Sequence, residues 1–105
     1  NDPVYVEAAQ ALARLIGHGP ASVEEKVGEG LRRVLLRPVS AAEVAPVAAL
    51  FRSSLAVYAR EPELAAAMIA DPANPPPATF APAELAAWTA VANVLLNLDE
   101  FLMKP

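Results

Sequence analysis

Apolar positions recur along most of this chain at spacings of three and four, the period of one face of an α-helix. The first run, Tyr5, Ala8, Ala9, Leu12, Leu15 and Ile16, sets a hydrophobic face against Glu7, Gln10 and Arg14. Asp2 before Pro3 supplies a start, because a carboxylate accepts from the free N–H groups of a first turn and proline fits there. Gly17 to Gly19 supplies the stop. Ser22 and Glu25 form a capping box ahead of Val23, Val27, Leu31, Val34 and Leu35, the stripe of a second helix. Gly28 and Gly30 each weaken that helix by up to about 1 kcal/mol relative to Ala, which predicts a close helix contact at one of them. Arg37-Pro38 ends it, since the residue before proline is pushed out of helical geometry.

A second capping box, Ser40 with Glu43, opens a third helix with the stripe Val44, Val47, Ala48, Phe51, Leu55 and Tyr58. Pro46 lies beyond the first turn, so the helix either kinks there or starts later than the box implies. Glu61-Pro62 restarts a short fourth helix through Leu64, Met68 and Ile69. From Asp71 to Pro82 proline dominates, and Pro75-Pro76-Pro77 predicts an extended, stiff connector with Phe80 as an anchor. The last helix, Pro82 to about Met103, is apolar almost all the way round: Leu85, Trp88, Val91, Val94, Leu95, Leu96, Leu98, Phe101 and Leu102. Such a helix is central. The expected fold is all-α, a bundle in which four helices pack around the C-terminal one.

Composition narrows the chemistry. A chain of 105 residues builds one hydrophobic core, so residues 1–105 are a single domain. The net charge of −4 opposes contact with a phosphate backbone. Only Arg32, Arg33 and Arg37 cluster, among acids, so a helix-turn-helix DNA reader built from the second and third helices is disfavoured. The absence of cysteine rules out disulfides, thiolate metal sites, thiol nucleophiles and covalently attached c-type haem within these residues. No segment reaches the roughly 20 apolar residues that span a bilayer; the longest, Leu85 to Leu98, is broken by Asn93 and Asn97. The start on Asn1-Asp2-Pro3, without Met or a signal pattern, predicts the C-terminal piece of a longer protein.

No catalytic constellation stands out. His18, the single histidine, sits between two glycines at a helix end, where a solvated residue beside the helix dipole is the expected role. Asp99 and Glu100 are adjacent and point about 100° apart on a helix, so they do not form a facing carboxylate pair. Arg33 and Arg37, one turn apart, could share a helix face and, with Arg32, hold an anion; pairing with nearby acids is the commoner outcome. The most specific feature is a polar stripe on the last helix: Thr89, Asn93, Asn97, Glu100 and Lys104. It could simply face water. Thr and Asn are poor interior helix residues, however, and amides carry two donors and an acceptor, so Thr89, Asn93, Asn97 and Glu100 are the candidate interdomain contact.

The segments Asn1-Asp2-Pro3-Val4-Tyr5-Val6-Glu7-Ala8, Leu36-Arg37-Pro38-Val39-Ser40-Ala41-Ala42-Glu43 and Trp88 to Phe101, with its run Leu95-Leu96-Asn97-Leu98-Asp99-Glu100-Phe101, together resemble one family. It is the C-terminal part of the planctomycete-type cytochrome-associated domain of unknown function 1553 family. Val39 stands where a second proline is expected, and the Pro-rich connector diverges. The resemblance implies an exported or periplasmic multidomain bacterial protein whose upstream part holds a c-type haem, and no catalytic residue for this portion. The expected role is a noncatalytic helical domain packing against upstream domains of its own chain. One alternative is that its helices complete an active site built mainly by upstream residues, with Arg33, Arg37 or Glu100 contributing. Homodimerisation is another way to cover its exposed apolar surface.

Overall fold

In the computed structural model, which describes the backbone of residues 3–103 and the side chains of residues 4–98, five helices follow one another: α1 (Pro3–Gly17), α2 (Val23–Leu35), α3 (Ala41–Arg60), α4 (Pro62–Ile69) and α5 (Pro82–Met103). The described residues contain no strand. Both capping boxes form. The Ser22 hydroxyl accepts from the Glu25 N–H at 3.1 Å while Glu25 Oε1 accepts from the Ser22 N–H at 3.0 Å. Ser40 and Glu43 make the same reciprocal pair at 3.3 and 2.9 Å, satisfying donors that a helix start leaves open. The start assigned to Asp2 lies outside the described residues.

Three local expectations change. Helix α3 begins directly after its capping box and carries Pro46 inside it, so the later start is ruled out. The proline's missing N–H leaves only the carbonyl of exposed Ala42 without its helical partner, and water can supply one there. Helix α2 ends at Leu35, before Arg37: Leu36 turns into the left-handed region at φ 57° and its N–H bonds Arg32 O at 2.9 Å. Arg33 and Arg37 therefore do not share a helix face. On α1 the buried face is rotated from the expected one, since Ala9, Gln10, Ala13 and Ile16 are buried while Ala8 and Leu15 are exposed.

Helix α5 runs through the centre and touches all four others. Leu85, Ala86, Ala87, Trp88, Val91, Ala92 and Leu95 are all buried, as an all-round apolar helix requires. Trp88 stacks on Phe51 of α3 with ring centroids 4.1 Å apart. Helix α1 reaches α5 through small residues. A Cβ placed on Gly17 would lie 2.7 Å from Trp88 Cδ1, so only glycine fits beside that ring. The close contact foreseen on α2 falls at Gly30, where a Cβ would lie 2.8 Å from Leu95 Cδ1, whereas Gly28 has room. Lys26 of α2 donates to Gly17 O at 2.8 Å and places its ammonium at the negative end of the α1 dipole. Between α4 and α5, residues 75–77 carry no regular hydrogen-bonded structure, two turns flank them, and Phe80 packs against the core as the anchor.

Candidate functional site

The α5 stripe does not simply face water; it runs from the core to the surface. Thr89 is 3% exposed, Asn93 is half-buried and Asn97 is exposed. Thr89 Oγ1 donates to Leu85 O one turn back at 2.8 Å, which satisfies the hydroxyl inside the core. The Asn93 carbonyl accepts from the Tyr5 hydroxyl of α1 at 3.2 Å. Neither side-chain amide, of Asn93 or of Asn97, has a hydrogen-bond partner among the described residues. The Glu100 side chain lies outside the described residues, as does Lys104.

These three α5 residues form one wall of a groove of about 490 Å³ whose other walls come from α1 and α4. Tyr5, Val6, Ala9 and Gln10 line it on one side and Ala67, Met68 and Ala70 on the other. Among the described residues, none that lines it carries a charge. Gln10 fixes its geometry. Although placed on the presumed wet face of α1, Gln10 is 5% exposed, and its Nε2 donates to Met68 O at 3.3 Å and Ala70 O at 2.9 Å. These are carbonyls at the end of α4, which an eight-residue helix leaves without intrahelical partners. Arg14, one turn along α1, donates to Asn74 O at 2.6 Å and holds the start of the connector in the same way. One sequence signal for Gln10 exists: it lies on the side of α1 that carries Ala13 and Gly17, the small residues where a neighbour comes closest.

The other candidates come apart. Arg32, Arg33 and Arg37 do border one open cleft, with Leu36 and Pro38, but each is engaged by an acid. Glu29 pairs with Arg32 and, at 3.0 Å, with Arg33; Glu43 pairs with Arg37 at 2.6 Å. Guanidinium hydrogen bonds, with the Ser40 N–H adding to them, hold the Glu43 carboxyl down to about 2. His18 is exposed at the end of α1, and the cation that bonds that helix end is Lys26. A further groove between α2 and α3 is floored by Ala41, Val44, Ala45, Ala48 and Ala49, with Arg52 at its rim paired to Glu24 at 2.7 Å. Among the described residues no three His, Cys, Asp or Glu side chains gather in a way that could hold a metal ion. No described helix is long and apolar enough to cross a membrane.

No family model, curated protein or solved structure matches the chain.

Proposed function

We propose that this chain is a noncatalytic helical domain that docks onto upstream domains of its own parent protein through the α1–α4–α5 groove. The observation that carries this reading is the pair of amides, Asn93 and Asn97, without partners among the described residues, in a groove whose described lining is uncharged and whose walls are joined by part-buried hydrogen bonds. Each amide carries two donors and an acceptor that a docked neighbour could bond. Apolar surface continues beyond the groove. Ala67 and Met68 also line a patch with Val57, Tyr58 and Leu64, of which Val57 and Leu64 are exposed. Val6, Val94 and Leu98 add exposed apolar surface from α1 and α5.

The sequence resemblance adds the wider setting: an exported multidomain protein with an upstream c-type haem module, this domain contributing no cofactor ligand. The active-site alternative draws its support from the arginine cleft, and the ion pairs that occupy Arg33 and Arg37 weigh against it. A DNA-reading role for α2 and α3 finds little support on the alanine-rich floor of their groove. Asn97→Glu tests the docking reading. Asn97 is exposed, so the variant stays folded, and a carboxylate at this position, desolvated against a described lining that offers it no cation, weakens association with the separately expressed upstream portion by about tenfold or more. Unchanged association would overturn the proposal.

A further inference from the structure

We infer that the occupant of this groove is an extended, uncharged peptide segment, read through its backbone by Asn93 and Asn97. This rests on the docking reading above and specifies what docks. Asn93 and Asn97 stand one helical turn apart, a rise of about 6 Å along α5. In an extended chain, residues i and i+2 are separated by about 6.4–6.8 Å and present their N–H and C=O groups in the same direction. Each amide offers a donor and an acceptor, so two successive amides can each pair with the N–H and C=O of alternate residues of one extended strand. A helical partner cannot do this, because its own backbone groups are bonded internally.

The rest of the groove fits the same occupant. Positions four apart on a helix wind around it, so the row through Thr89, Asn93 and Asn97 slants by about 26° to the helix axis and sets the strand's course. Thr89 spends its hydroxyl hydrogen on Leu85 O at the buried end, which leaves two amides to do the reading. Side chains on the strand's inward face meet Ala9, Ala67 and Met68, room for small or medium apolar groups. With no charged side chain among the described residues that line the groove, a charged side chain buried against them would lose its hydration without gaining a partner. Proline at a paired position would remove the donor that an Asn oxygen needs.

The test uses a pool of capped heptapeptides with Thr, Ser, Ala or Val at each position, and a twin pool N-methylated at every second residue. Binding is followed on the isotopically labelled protein through the side-chain NH2 resonances of Asn93 and Asn97. The expected result is a saturable shift of both resonances with the first pool, at least tenfold weaker binding of the twin, and less than twofold change between 50 and 500 mM salt. Asn93→Ala and Asn97→Ala, each checked for an unchanged amide spectrum elsewhere, should weaken binding about tenfold. Equal binding of both pools would overturn backbone reading, and so would no shift with either. Shifts at Asn93 and Asn97 that depend on protein concentration alone would assign the groove to a second copy and overturn it too. If the peptides fail while the upstream portion still binds and Asn97→Glu weakens it, the docking role stands and only the extended-peptide inference falls.

Discussion

Single residues mark where this bundle is tight and where it is open. Gly17 and Gly28 are both helical glycines, yet one abuts the Trp88 ring and the other has 3.7 Å to its nearest neighbour, Val44 Cγ2. Gly17→Ala should therefore destabilise by about 1–3 kcal/mol through overpacking against a buried ring. Gly28→Ala should stabilise by up to about 1 kcal/mol, because a helical methyl group restricts the unfolded chain without a clash. Denaturant midpoints of the two variants read both effects, and midpoints moving in the same direction would contradict the packing described. Leu36 is a third such position, 86% exposed with φ at 57°. Glycine adopts that conformation freely, so Leu36→Gly should raise stability by about 1 kcal/mol, read as a higher melting temperature.

At the scale of elements, hydrogen bonds from one helix complete the ends of another. Gln10 does this for α4, and Gln10→Ala would leave Met68 O and Ala70 O short of a donor in a groove wall. The expected cost is about 0.5–1.5 kcal/mol, with faster amide exchange concentrated in α4 and the residues that follow it. Glu43 instead closes the start of its own helix, α3, by accepting from the Ser40 N–H, while also holding Arg37. Its folded carboxyl titrates at about 2 against an ordinary value of 4.5, so its contribution is fully present above 4.5 and is lost as pH falls towards 2. Glu43→Gln should flatten stability between those two values and leave its slope above pH 5 unchanged; an unaltered acid limb in the denaturation midpoint would contradict that assignment. The helices themselves were legible because their signals are local: capping boxes at Ser22 and Ser40, three-four spacing, and an all-round apolar α5. The register of α1 was not, because Leu15 looks like core and Gln10 looks like surface until α4 supplies two carbonyls from about 60 residues away. Arg37-Pro38 marks the end of α2 to within two residues, but the left-handed turn that makes the end, at Leu36, has no signature in sequence.

Across the whole molecule, one central helix serves two purposes. Its apolar sides hold α1, α2, α3 and α4, and its polar stripe passes from the core at Thr89 out to the surface at Asn97. The stripe was legible as a spacing of Thr and Asn on an apolar helix, but the groove around it required the course of α1 and α4. The exposed apolar residues Val4, Val6, Val94 and Leu98 come from the same two helices that the Tyr5–Asn93 hydrogen bond joins. Covering that surface with another part of the parent protein would bury it and bond the amides in one step. The most direct measurement is a titration of the isotopically labelled domain with the separately expressed upstream portion of its parent, followed by amide shifts residue by residue. Docking through the groove gives shifts concentrated on Thr89, Asn93 and Asn97 and on the facing residues Val6, Gln10 and Met68. No shift at these positions, with the upstream portion independently shown to be folded, would make the stripe solvent surface and contradict the proposed role.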